Sequence, residues 1–166
     1  VLASSGQSVG LHVEGQARER IAAIARFVQS REWGGVVFTE GRAPGDPHGV
    51  VEGTFALELI HLAHPGRAPD LLLTFPWSSR PNAFGVPGSD LANVSGGAAP
   101  YFSDHGSMSP WNIRNAGLAW GVDFKKSVAV PTPSGNVDLA PTILCLLGLG
   151  EATNLDGRVL AEAMEG

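Results

Sequence analysis

Cysteine is nearly absent: Cys145 is the only one in 166 residues. A single thiol closes no intramolecular disulfide, and the chain has no CxxC or Cys/His knuckle for a structural zinc. Cys145 lies in the apolar run Ile143-Leu144-Cys145-Leu146-Leu147, which predicts a buried small hydrophobe rather than a reactive thiol. Charge is sparse too, at 16% of residues, with 11 Lys and Arg against 16 Asp and Glu for a net charge of −5. The longest basic run is Lys125-Lys126. That is too little to neutralise a phosphate backbone, so nucleic-acid binding by bulk electrostatics is not expected. No apolar run approaches the ~18 residues that cross a bilayer, and the chain reads as soluble. Val-Leu-Ala-Ser-Ser-Gly-Gln at the start has neither the basic nor the apolar region of a secretory signal. The absence of an initiating Met suggests that Val1 is not the natural beginning. Aromatics make up 7%. Trp33, Trp77, Trp111 and Trp120 are scattered, expected to bury against loops, and form no stacking platform for single strands.

Glycine and proline, by contrast, are plentiful, at 22 and 12 residues. Together with the low charge they describe a loop-rich globular fold with short elements, and the length predicts one domain over 1–166. Ile21, Ile24, Ala25, Phe27 and Val28 recur at helical spacing between Gln16 and Arg31, closed by Gly34-Gly35. A strand is predicted over 35–39. The runs 70–75 and 115–120 read as strands buried on two faces, with weaker strands at 11–13 and 53–55. Residues 76–112 are rich in Pro, Gly, Ser and Asn and predict a long loop, which in a compact domain usually serves a function. A helix is expected over 138–147, with Pro141 in its first turn, and an amphipathic helix over 158–164. This alternation favours α/β, a mixed sheet flanked by helices.

Few residues carry chemistry. His105 stands in Phe-Ser-Asp-His-Gly-Ser (102–107), flanked by small residues that leave its ring sterically open to a metal. Asp104 beside it could serve as a second ligand or as a partner of the ligand, although adjacent side chains on an extended segment point to opposite faces; an exposed loop acid is the plainer reading. His61 and His64 approach a chelating spacing, but Pro65 disfavours a helix through His64. Ser107 and Ser109 lack the Gly-x-Ser-x-Gly elbow of a nucleophile and are expected to be structural hydroxyls. Asp46 with His48, and Asp70 after Pro69, are compatible with turn chemistry alone. No glycine pattern matches a nucleotide fingerprint.

A series of motifs nevertheless runs through the last third: Ser103-Asp-His-Gly-Ser107, Met108-Ser-Pro110, Ala119-Trp-Gly-Val-Asp-Phe-Lys125, Asn136-Val-Asp-Leu-Ala-Pro-Thr142, Leu146-Leu-Gly148 and Asp156-Gly-Arg-Val-Leu160. In order and spacing it resembles the C-terminal segment of type I phosphodiesterase/nucleotide pyrophosphatase proteins of the alkaline phosphatase superfamily. The likeness is strong over 103–165 and looser upstream, where it takes in 22–39, Gly53-Thr54 and 67–72. Two departures are Asp104, where many relatives have Gly, and Gly121-Val122, where they have Gly-Pro.

The resemblance implies the C-terminal part of an alkaline-phosphatase-like fold, with His105 as the last metal-binding histidine and the 76–112 loop bringing it to the active-site edge. It also implies two divalent metal ions in the intact enzyme, zinc being the expected identity. The activity implied is hydrolysis of a phosphate-ester small molecule through a phospho-Ser or phospho-Thr enzyme. The nucleophile and the other ligands belong upstream of the segment matched here, so the chain is expected to be a C-terminal fragment of a larger hydrolase, inactive alone. Its partner would be the missing N-terminal portion of the same protein, with self-association possible through apolar surface left uncovered. Two alternatives stand beside this: a non-catalytic α/β binding domain on the same scaffold, and a sulfatase or phosphonate hydrolase of the same superfamily.

Overall fold

The computed structural model describes residues 1–90, 105–114, 116–150 and 154–165. The chain divides into two compact units, Val1–Asn115 and Ala116–Gly166. Among the described residues, every named strand lies in the first.

That unit is built on a five-stranded mixed sheet. β1 (Leu2–Ser5) and β2 (Ser8–Leu11) form a hairpin through Gly6-Gln7, and β3 (Val37–Thr39), β4 (Phe55–Ala56) and β5 (Leu71–Thr74) complete the order β1-β2-β5-β3-β4. Only β3 and β4 run parallel; β5 lies antiparallel to both its neighbours, Ser8 facing Thr74 on one side and Thr39 facing Leu71 on the other. Central β5 is buried throughout, as its unbroken apolar sequence predicts. The period of two sorts its side chains: Leu71 and Leu73 join a cluster with Val9, Val37, Val51 and Phe75, while Leu72 joins Phe38 and Leu57 on the opposite face.

The predicted first helix is α1 (Arg18–Gln29), and its buried stripe of Ile21, Ala25 and Val28 caps the Leu71/Leu73 face. Burying a side chain of this size contributes about 1.5–3 kcal/mol. The Ser30 hydroxyl closes the helix by donating to the Phe27 carbonyl at 2.7 Å. The chain can then turn back onto the sheet only through Gly35, where a Cβ would lie 2.7 Å from the backbone at Thr74 and Phe75. Buried threonines satisfy their own hydroxyls: Thr39 Oγ1 bonds Thr54 Oγ1 at 2.8 Å, and Thr74 Oγ1 accepts from the Val36 N–H at 3.1 Å.

The weaker strands expected at 11–13 and 53–55 share only Leu11 with β2 and only Phe55 with β4, whereas β1 has no counterpart among the expectations. Part of the expected long loop is also structured. It holds the pair β6 (Trp77–Ser78) and β7 (Ser89–Asp90) and a single-turn helix α2 (Pro110–Ile113); residues 91–104 lie outside the described residues.

The second unit departs most from expectation. Its one α-helix, α3 (Leu139–Leu146), follows a 3-10 turn at Asn136–Asp138. The expected helix over 158–164 is only a 3-10 turn, Ala161–Ala163, held by main-chain bonds from Lys125 N–H to Ala163 and from Glu165 N–H to Asp123. No strand forms at 116–120: Leu118 and Trp120 are 97% and 96% exposed, because no strand among the described residues pairs with the segment. Trp120 therefore corrects the expectation of tryptophans buried against loops. Trp33 and Trp111 are also partly exposed, at 42% and 45%, with Trp77 meeting Trp111 edge to face at 5.6 Å. Cys145 is likewise exposed rather than buried. The contacts that cover α3 engage its first turn, through Asp138 and Thr142, and among the described residues nothing comparable covers the last turn. No described helix is long and apolar enough to cross a membrane.

Candidate functional site

The site begins with a short loop pinned from three directions. Ser109 caps α2, its hydroxyl accepting the Trp111 N–H at 3.2 Å with Pro110 in the first turn, where the missing N–H costs nothing. Ser107 Oγ accepts from the Ser109 N–H at 3.2 Å and from Asn112 Nδ2 at 2.8 Å. Both serines are buried, and their acceptor sites are taken up in local structure, in keeping with structural hydroxyls. Between them Met108 packs against the Phe38, Leu57 and Leu72 cluster, which fastens the loop to one face of the sheet. Gly106 turns with φ 97°, a left-handed value that a side chain would resist.

His105 is therefore held at the near end of an anchored segment, and it is exposed. Its carbonyl accepts the N–H of Gln7, in the β1–β2 turn, at 3.3 Å. Because Gln7 adjoins Ser8, which faces Thr74, this fixes His105 at the end of the sheet where β5 finishes. Asp104, the other candidate, lies outside the described residues. Gln7 is the residue that sequence reasoning missed: it is buried to 2% exposure beside the histidine, and a glutamine in a Ser-Gly-Gln-Ser turn gives no signal of that.

The opposite end of the sheet opens into a cleft of about 970 Å³. Its walls include His12, Glu40 and Leu57, which follow β2, β3 and β4, and Asp70, which precedes β5. Asp70 is already engaged, its carboxylate accepting the Val13 N–H at 2.6 Å. His64 also lines this cleft, its Nδ1 2.7 Å from the Pro65 carbonyl. His61 sits in the left-handed region at φ 55°, at the end of the 3-10 turn Leu57–Ile60, so the two histidines do not share a helix face. Asp46 and His48 form the turn that their spacing suggests, Asp46 Oδ1 accepting the His48 N–H at 2.9 Å. That bond, followed by the His48 ring, lowers the Asp46 pKa.

Among the described residues no group of three or more His, Cys, Asp and Glu is arranged to hold a metal ion. Zinc sites take three or four protein donors, and His105 is a single imidazole.

Three motif residues in the second unit are used for architecture. The Asp138 carboxylate accepts the Arg158 N–H through Oδ1 and the Gly135 N–H through Oδ2, both at 2.9 Å. These bonds, the one from Arg158 first, lower its pKa. Thr142 Oγ1 donates to the Asp138 carbonyl at 2.7 Å and accepts the Leu160 N–H at 3.0 Å. Arg158 closes the arrangement with a two-pronged bond to Glu162, at 2.7 and 2.9 Å, which holds that carboxyl at about 2. The Asn-Val-Asp-x-Ala-Pro-Thr pattern is thus a clamp that ties the 157–160 segment to the start of α3.

No family model, curated protein or solved structure matches the chain.

Proposed function

We propose that this chain is the C-terminal part of a metal-dependent phosphoesterase with an alkaline-phosphatase-like fold, and that His105 is one of its metal ligands. The observation that carries the reading is His105 itself: the histidine in the most informative motif is exposed at the edge of the sheet, on a loop anchored by Gln7, Ser107 and Met108. A ligand needs that combination, since a mobile imidazole binds weakly and a buried one cannot meet an ion shared with other segments.

The second unit supports the fragment part of the reading. Its large apolar side chains Leu118, Trp120, Val122, Leu147 and Leu149 are each at least 64% exposed. Apolar surface on this scale marks a region that packs against something else; here that is the upstream portion of the same protein. When bound, two divalent ions would activate a Ser or Thr nucleophile and neutralise charge on both sides of an in-line displacement at phosphorus. This chain's own part is to hold one imidazole in place.

Two experiments test the reading. Sequencing the coding DNA upstream of Val1 is expected to reveal a Ser or Thr nucleophile with Asp and His ligands; a start codon directly before Val1 would refute the fragment. In the intact enzyme, His105→Ala is expected to remove one metal ligand and most hydrolysis of bis(p-nitrophenyl) phosphate while the fold survives. Unchanged metal content and rate would remove His105 from the site. The cleft at the far end of the sheet favours the second reading, a non-catalytic binding domain, which a start codon at Val1 would bring forward.

A further inference from the structure

The cleft of about 970 Å³ lies where β3 and β4, the one parallel pair among the described strands, deliver their carboxyl ends: Glu40 follows β3 and Leu57 follows β4. Open α/β sheets take their ligands in the crevice outside that end of parallel strands. The volume sits at the upper end of the roughly 300–1,000 Å³ that holds an organic molecule.

Charge decides what kind of molecule fits. Glu19, Glu40, Glu52, Glu58 and Asp70 line the cleft against Arg18 and Arg26, an excess of three negative charges. Asp70 is satisfied by the Val13 N–H. The other four carboxylates form no ion pair or side-chain hydrogen bond among the described residues, so they do nothing for the fold that a neutral side chain would not. The backbone that carries them is nevertheless fixed: the Val50 N–H donates to the Glu40 carbonyl at 2.8 Å, and Gln29 Nε2 donates to the Glu52 carbonyl at 3.0 Å. Gly41 leaves room for Glu58, since a Cβ there would lie 2.9 Å from Glu58 Oε2. Like charges held around a concavity focus their field inside it and draw in cations. No group of three among the described His, Cys, Asp and Glu is arranged to hold a metal ion, so the complement is a cation whose charges are spread out. Val50, Ala63, Pro65 and Pro69 give the same wall an apolar part, which suits methylene groups between those charges.

We propose that the cleft binds a linear organic polycation of the polyamine class, its ammonium groups on Glu40, Glu52 and Glu58 and its methylene chain along the apolar wall. The site lies at the opposite end of the sheet from His105 and stands whatever that residue binds.

The test titrates spermidine into the full chain at about 0.15 M salt, where attraction between exposed charges is screened beyond about 8 Å, and follows the amide 1H–15N shifts. A saturable one-site response is expected, confined to the residues that line the cleft. Glu40→Gln/Glu52→Gln should raise the spermidine Kd about tenfold or more. Glu14→Gln/Glu32→Gln makes the same change in net charge outside the cleft and should leave the Kd unchanged. A wild-type response that never saturates, or shifts scattered over acids throughout the chain, overturns the proposal without any variant. Equal weakening by the two pairs of substitutions does so as well, because bulk charge would then account for the binding. So does magnesium saturating the same residues at the spermidine midpoint, since a compact divalent ion would then serve as well as a spread one.

Discussion

Replacing Asp138 by Asn tests whether the most conspicuous motif of the second unit is an architectural clamp. The two molecules differ by little in shape, but the carboxylate accepts two main-chain N–H bonds and the carboxamide can accept only with its oxygen, presenting an NH2 group to the other donor. A hydrogen bond to a charged acceptor contributes about 1.5–3 kcal/mol, so the loss of one, with two donors now facing each other, should cost ~2–3 kcal/mol. Residues 116–166, at ~0.05–0.15 kcal/mol per residue, have only roughly 3–8 kcal/mol to lose. Amide hydrogen exchange is the appropriate assay. Protection at Gly135, Arg158 and Leu160 should fall by about 30–150-fold, at 1.4 kcal/mol per tenfold, while β5 and α1 keep theirs. Thr142→Val separates the two layers of the clamp, since it removes the partner of the Leu160 N–H but leaves the carboxylate in place; only Leu160 should lose protection. The pH dependence has a definite sign. Because the folded carboxyl lies below its ordinary value near 3.8, its stabilisation is complete above that value and is lost as pH falls through the folded one. The second unit should therefore loosen below about pH 4. Unchanged protection in Asp138→Asn at neutral pH would refute the clamp.

Gly49→Ala should destabilise the first unit by about 3 kcal/mol or more, because the new methyl would overlap the hydroxyls of Thr39 and Thr54 on short side chains that cannot retreat. A thermal melt should fall by roughly 12 °C or more, and a variant as stable as the parent would show that the Thr39–Thr54 contact is looser than described. Cys145 should take up one equivalent of a maleimide in the native chain at a rate near that of an unfolded control, as its exposure requires; a thiol protected until denaturation would restore the buried reading.

The first unit was legible because its elements satisfy local and global demands together. The spacing of Ile21, Ala25 and Val28 makes a helix, and the same residues meet Leu71 and Leu73, whose uninterrupted apolar sequence requires cover on both faces. β1 escaped because Leu-Ala-Ser-Ser carries little strand propensity; its pairing to β2 through Gly6-Gln7 supplies what its side chains do not. The 116–120 segment shows the opposite failure. Its short apolar run Ala116-Gly-Leu-Ala119 read as a strand buried on two faces, yet a strand exists only where another strand accepts its hydrogen bonds, and that condition is not written in the segment itself.

The same distinction separates the motifs that carry the functional reading. Asp138, Thr142 and Arg158 join a helix start to a later segment, and hydrogen bonds within residues 135–162 account for each of them. Such residues serve the architecture and say nothing of catalysis. His105 is different: it is exposed on an anchored loop, its carbonyl accepting the N–H of Gln7, whose buried amide oxygen is unsatisfied. The proposed function therefore rests on His105, and the metal content of the intact enzyme with and without that imidazole decides more than any further motif in the chain.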